Sequence, residues 1–357
     1  MNDSCCEAAD YRQFHIRGSH AHAGFVLGSA DPPFRMQFWW QSPPPLRFAL
    51  ACRSVVRELH PPLLDEIDAY ADAQRYPRDE FWRRCCRVNL KAKVRPEHLQ
   101  AGFATEFGEG CSTVIRFTPN AAIVGRNYDY LPQQARRQRI AFHPDCCAYA
   151  SIGARGSVPC GRYDGMNARG LFTSLHVVMT DLPDMASLKP GVPFHLVLRI
   201  VLETCANARE AADLISRMPH LSSLNYLVAD ANEAFVIEAD PRRTRLISAE
   251  HGVLAATNHF RHPDMVPLMG RRAPEHSACR LAFLLQAEPN DNPLQWAMQV
   301  MADRSVPMCG LSGPLTTLWS CVAELQSQRI FYAPGPPAIA AYEEITHLIP
   351  LPTGGSR

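Results

Sequence analysis

The residues of this 357-residue chain with the most chemical potential lie in one short span. Cys111 follows Glu109-Gly110 and opens Cys111-Ser112-Thr113-Val114. After an apolar run, Gly125-Arg126-Asn127-Tyr128-Asp129 follows. The distance from Cys111 to Arg126 and Asp129 is that of one strand, a turn and a second strand, so a hairpin would bring a thiol, a guanidinium and a carboxylate to one mouth. As an internal residue, Cys111 could attack the Gly110 carbonyl and convert that amide to a thioester. Water would then release residues 1–110. Glycine before the cysteine suits this step, because it offers no side chain to block attack and accepts unusual backbone angles.

A released Cys111 would carry a free α-amine. The reference pKa of an α-amine is ~7.7–8.0 and that of a thiol ~8.5, so one residue supplies nucleophile and base near neutral pH. No histidine is needed, which is the logic of N-terminal nucleophile catalysis. Arg126 would favour the thiolate. Asp129 would hold the protonated amine by charge-assisted hydrogen bonds, with an Arg126–Asp129 pair keeping both oriented. Acyl transfer also needs neutral donors for the developing oxyanion. Asn258 in Thr257-Asn258-His259-Phe260, at the end of an expected strand, is the first candidate, and Asn225 at the start of another is the second. His176 lies in an apolar run and reads as a satisfied core histidine before a catalytic one.

The elements around these residues are legible from periodicity. Residues 1–45 read as irregular. Phe48, Cys52, Val55 and Leu59 give a helix, Leu64, Ile67 and Ala71 a second after Pro61-Pro62, and Pro77 opens a third with Trp82, Cys86 and Leu90 as its stripe. Strands are expected at Ser112–Thr118, Ala121–Arg126, Asn225–Ala229, Ala234–Glu238, Thr244–Ser248, Val253–Thr257 and Arg329–Tyr332. Helices are expected at Phe194–Thr204, Ala208–Met218 and Pro293–Asp303. Antiparallel strands with segregated helices make an α+β layered fold.

Bulk properties narrow the function. The net charge of +1 favours neither nucleic acid nor an anionic membrane surface. No run reaches the ~18 apolar residues of a spanning helix. The N-terminus lacks a basic start followed by an apolar core, so the expectation is a cytoplasmic chain whose thirteen cysteines are reduced thiols. The absence of any CxxC pair argues against a structural zinc site. His20 and His22 are spaced to share a metal, but a solvated or structural role is the preferred reading, and no metal or cofactor is expected.

Gly110-Cys111-Ser112-Thr113 followed by Gly125-Arg126-Asn127-Tyr128-Asp129-Tyr130 resembles the N-terminal nucleophile region of the linear-amide hydrolases. That group includes choloylglycine hydrolase, penicillin V acylase, acid ceramidase and the isopenicillin N acyltransferase family (peptidase family C45). Arg17-Gly18-Ser19-His20, Gly165-Met166-Asn167-Ala168-Arg169-Gly170-Leu171, Asn225-Tyr226-Leu227-Val228-Ala229-Asp230 with Glu238, Thr257-Asn258-His259-Phe260, Ser277-Ala278-Cys279-Arg280 and Thr317-Leu318-Trp319-Ser320 resemble further blocks in order, over residues 15–340. The resemblance implies a four-layer αββα sandwich over residues 111–357, preceded by a mainly helical propeptide or α-subunit, 1–110. It implies cleavage between Gly110 and Cys111, Cys111 as nucleophile, Arg126 and Asp129 as its supports and Asn258 as an oxyanion donor. Arg280 aligns with a family arginine and joins Asn225 and His176 as a possible substrate-binding residue. The choloylglycine branch begins at its cysteine and carries a further asparagine after Gly-Leu. The long leader and Phe172-Thr173-Ser174-Leu175-His176 place this chain nearer the acyltransferase and ceramidase branch.

The reading is an autoprocessed cysteine amidase that cleaves a small N-acyl compound through a Cys111 thioester, its leader fragment retained as a heterodimer partner. The alternatives are an N-acyltransferase that uses an acyl-CoA or amide donor, and a non-catalytic homologue that binds an acylated ligand. A papain-like mechanism fits poorly, because Cys111 opens a strand rather than a helix.

Overall fold

The computed structural model describes residues 9–34, 43–86, 110–130, 132, 137–146, 148–156, 158–181, 185–270, 274–311 and 316–348. The segment before Gly110 forms β1 (Gln13–Gly18), α1 (His20–Ala30), α2 (Leu46–Leu59), α3 (Pro62–Ala73) and α4 (Arg78–Cys85). Ser19 caps α1 by accepting a hydrogen bond from the His22 amide. The three later helices fall where apolar spacing and prolines put them, and α2 stops at His60 because the residue before a proline disfavours helix. Leu90 lies outside the described residues.

Residues 1–45 were expected to be irregular, and β1 and α1 correct that. β1 takes its extended form from a partner far away in sequence, since it pairs in parallel with β4 (Arg139–Pro144) from Gln13↔Arg139 to Gly18↔Pro144. No local pattern announces such a strand. α1 packs on α3 through Gly24 and Gly28, one turn apart. A Cβ on Gly24 would lie 2.0 Å from the Glu66 carbonyl oxygen.

After Gly110 the chain enters β2 (Ser112–Thr118), reverses at Pro119-Asn120 and returns as β3 (Ala121–Tyr130), four residues longer than the spacing suggested. Then follow β4, β5 (Ser151–Ala154), β6 (Asp164–Asn167), β7 (Phe172–Val177), α5 (Phe194–Thr204), α6 (Ala208–Arg217), β8 (Leu224–Ala229), β9 (Ala234–Asp240), β10 (Arg243–Ser248) and β11 (Val253–Ala256). The chain finishes with α7 (Glu275–Gln286), α8 (Pro293–Ala302), β12 (Thr316–Glu324), β13 (Arg329–Ala333) and β14 (Glu343–Glu344). One sheet runs β1-β4-β5-β6-β7-β8-β9-β10 and the other β11-β2-β3-β12-β13-β14.

The two sheets face each other, and strand alternation decides what lies between them. On the hairpin, Ile115, Ala122 and Val124 pack with Ile152, Phe172 and Leu175 of the opposite sheet. Their neighbours Val114, Ala121 and Ile123 point the other way, onto Leu284, Trp296, Ala297 and Met301 of α7 and α8. α5 and α6 cover the outer face of the larger sheet. The order helix, sheet, sheet, helix is an αββα sandwich, and α1 and α3 meet α5 through His20–Glu203 and Glu66–Arg199.

Gly24→Ala is expected to push α1 off α3 and cost ~1–3 kcal/mol, as an overpacked contact does. A thermal melt of the variant reads this directly, and an unchanged midpoint would contradict the close approach.

Candidate active site

Cys111 sits at the open end of the β2–β3 hairpin and is fully buried. The register sets Thr113 opposite Arg126 and Ser112 opposite Asn127. The Gly110 amide donates to the Asp129 carbonyl at 3.2 Å, so the Gly110–Cys111 peptide is held along the end of β3.

Arg126 and Asp129 lie three apart on one strand, so they leave on opposite faces. Arg126 points between the sheets and pairs with Asp164 (Nε to Oδ2, 2.9 Å), not with Asp129 as expected. Its Nη1 reaches the Thr113 hydroxyl and His176 Nε2, both at 3.3 Å, and its Nη2 donates to the Tyr163 carbonyl at 3.1 Å. Burial disfavours its charge, but the Cys111 thiol and the Asp164 carboxylate raise its pKa above the usual value. Asp129 points to the α7–α8 side, where Thr317 Oγ1 donates to its Oδ1 at 2.7 Å. Burial pushes this carboxyl up to about 7, against the lowering pull of Arg280, the Thr317 hydroxyl and Arg126.

Arg280, in α7, holds the site together. Its Nη1 donates to the Cys111 carbonyl at 2.7 Å and to Ser112 Oγ at 2.6 Å, while Nη2 donates to Asn258 Oδ1 at 3.0 Å. One guanidinium thus ties the candidate nucleophile's backbone to the candidate oxyanion donor. Because Arg280 occupies the amide oxygen of Asn258, Nδ2 is free to act as donor. One Nδ2 hydrogen goes to the Val177 carbonyl at 3.0 Å. The Asn258 amide donates to Ser277 Oγ at 2.9 Å, which fixes the backbone just past β11.

Asn225 and His176 support this segment from behind. Asn225 Nδ2 donates to the carbonyls of Thr257 (2.9 Å) and His259 (2.8 Å), on either side of Asn258. With both amide hydrogens engaged, Asn225 positions the Thr257–His259 segment. His176 Nδ1 faces the Asn225 carbonyl at 3.1 Å, so this nitrogen carries the proton and Nε2 accepts from Thr113 (2.8 Å). Burial and the Arg126 charge hold His176 well below the usual histidine range, and it stays neutral.

Asp164 was not singled out from sequence, although it immediately precedes the quoted Gly165-Met166-Asn167 block. It accepts from Arg126, from Trp319 Nε1 at 2.8 Å, from the Tyr332 hydroxyl and from the Ala154 amide at 3.3 Å. Trp319 stacks on Tyr128, with ring centroids 4.1 Å apart. A lone aspartate in a mixed stretch carries no sequence signal of such a role.

Two facing sheets flanked by helices, with Cys111 just before the first strand of the central hairpin, make a layered αββα fold. The chain belongs to the acyl-coenzyme A:6-aminopenicillanic acid acyl-transferase family, whose profile matches residues 116–330. That span begins after Cys111 and includes Arg126, Asp129, Asn258 and Arg280. The chain is 26% identical over 201 residues to the 40 kDa form of acyl-coenzyme A:6-aminopenicillanic-acid-acyltransferase from Emericella nidulans, an alignment covering 52% of this chain and 53% of that protein. It therefore spans about half the length of that relative. An N-acylethanolamine-hydrolyzing acid amidase orthologue from Caenorhabditis elegans superposes with a TM-score of 0.47 at 18% identity, over 60% of this chain and 92% of that one. Penicillin V acylase from Agrobacterium tumefaciens gives 0.47 at 18% identity, over 67% and 88%.

Because its folded pKa is raised, Asp129 favours the protonated fold. Its contribution to stability is present below pH 3.8 and lost as pH rises through about 7. In an uncut Cys111→Ala chain, Asp129→Asn is expected to flatten the fall in stability across that window, by on the order of a few kcal/mol. Denaturant melts at several pH values measure this, and parallel profiles for the two chains would contradict it.

Proposed function

We propose that the chain is an autoprocessed cysteine amidase acting on a linear amide of a small N-acyl compound. The observation that carries this reading is the Arg280 guanidinium, which joins the Cys111 carbonyl, Ser112 and Asn258 while Arg126 and Asp129 approach from opposite faces of the hairpin. A binding module has no need of that set.

In the first step the Cys111 thiol adds to the Gly110 carbonyl carbon. The Gly110–Cys111 C–N bond breaks, the nitrogen gains a proton and a thioester remains. Water then cleaves the thioester, leaving a Gly110 carboxylate and a Cys111 that bears both thiol and α-amine. The buried Asp129 carboxyl, disfavoured as an anion in the uncut chain, gains a cationic partner in that amine. In turnover the amine takes the thiol proton, sulfur attacks the substrate carbonyl and Asn258 Nδ2 donates to the oxyanion. The leaving amine departs with a proton, and water releases the acid.

The family and the Emericella relative are both described as acyl-transferases. This supports a second reading, in which an amine takes water's place at the same acyl-enzyme. The leader remains bound after the cut in either reading, as a heterodimer partner. Asp31 pairs with Arg155 at 2.5 Å and Glu66 with Arg199 at 2.7 Å, both fully or almost fully buried.

Intact mass spectrometry is expected to show two fragments, 1–110 and 111–357, and a single uncut chain for Cys111→Ala. A wild-type chain that stays whole and leaves Cys111 unlabelled by an electrophile would overturn the assignment. Asn258→Ala is expected to process and fold but to lose roughly a hundredfold or more in turnover of an N-acyl substrate, as the loss of one oxyanion donor does. An undiminished rate would transfer that role to another group.

A further inference from the structure

We propose that His20, His60 and Glu203 form a binding site for a divalent transition-metal ion of the zinc class, which ties the leader to α5. Both imidazoles converge on one carboxylate oxygen. His20 Nε2 lies 2.8 Å and His60 Nε2 2.6 Å from Glu203 Oε2, and the three donor atoms lie within 4.8 Å of one another. All three residues are buried. They are the only such group among the described residues.

The elements make the convergence rigid. His20 is the first residue of α1, His60 caps the end of α2 and Glu203 lies in the last turn of α5. His22, two residues on, faces solvent and is not part of the group. Arg199 donates to Glu203 Oε1 from Nε (2.9 Å) and Nη2 (2.5 Å), which leaves Oε2 as the oxygen presented to the histidines. This is the outer-shell support that metal-ligating carboxylates receive. Arg199 is itself matched by both oxygens of Glu66, at 3.0 and 2.7 Å, so the charge of Glu203 is not consumed by it.

Two nitrogens and one oxygen suit zinc, with bonds of about 2.0–2.2 Å and a water as fourth ligand. In the ion-free state the carboxylate oxygen can only accept, so each imidazole donates to Oε2 from Nε2. On binding, each neutral ring moves its proton from Nε2 to Nδ1, and the Nε2···Oε2 contacts open to about 3 Å or slightly more. Arg162 opposes a dication here. It is buried and its Nε and Nη2 lack hydrogen-bond partners, and although burial and the Arg199 charge lower its pKa to about 9 against the pull of Glu66 and Glu203, it stays cationic at neutral pH. The affinity is therefore expected to fall below that of closed four-ligand structural sites.

The test uses the full-length protein, stripped of metal and titrated with zinc or cobalt. One ion per chain is expected, with the intense visible bands of four-coordinate cobalt and a melting midpoint that zinc raises and chelator lowers. His20→Gln and His60→Gln should each bind roughly tenfold or more weakly. Should either variant misfold, X-ray absorption at zinc on the wild type decides, since the shell must hold imidazole and oxygen without sulfur. Sulfur in the shell would assign the ion to cysteines and overturn the proposal. Failure to bind, or binding that the histidine variants retain in full, would also overturn it. None of these readouts depends on turnover, so the site and the amidase reading stand or fall separately.

Discussion

The buried carboxylate of Asp164 is the interaction on which the rest of the architecture depends. It belongs to the larger sheet, and three of its partners, Arg126, Trp319 and Tyr332, come from three successive strands of the smaller one. An apolar interface between two sheets tolerates sliding, because dispersion and the hydrophobic effect are nearly non-directional. A buried ion pair with further directed donors does not, since displacement leaves charges unmatched in a low-dielectric interior. Asp164 therefore fixes the relative register of the sheets. In doing so it fixes Arg126, which faces Thr113 and His176 and brings positive charge up to Cys111.

The site is assembled from both sides of the hairpin. From between the sheets come Arg126, Thr113 and His176, and through His176 the connection runs to Asn225 and the backbone around Asn258. From the helix side come Asp129, Thr317 and Arg280. Cys111 stands where the two polar systems meet. The proposed role of Asn258 requires preorganisation of this kind, so that a neutral amide can stabilise developing charge without rearrangement. Such preorganisation also explains the number of buried polar groups, since each orients another.

Much of this was legible in the sequence. The turn at Pro119-Asn120, α2 and α3 around Pro61-Pro62, and the strands from Asn225 to Thr257 follow from local periodicity and turn residues and lie within a residue or two of expectation, while β3 runs four residues further than expected. The expected Arg126–Asp129 pair failed for an equally local reason, because an odd separation on a strand sends two side chains to opposite faces. What stayed hidden is non-local. The extended form of β1, the role of Asp164 and the meeting of His20 and His60 at Glu203 depend on partners more than thirty residues away. His20 drew notice for its spacing to His22, but the helix points the two in different directions.

The parallel pairing of β1 with β4 has a consequence for any chain that is divided after Gly110. While the backbone is continuous, β1 is tethered to its partner, and the pairing is an intramolecular event at a high effective concentration. Division turns the same hydrogen bonds into an association between two molecules, sensitive to dilution and to whatever else can pair with β4. The exposed edge would then be a template for other strands. The buried Asp31–Arg155 and Glu66–Arg199 pairs would slow that separation. The order of events is thus constrained, for the sheet must close first, with the leader strand as its edge, before the chain can be divided without losing it.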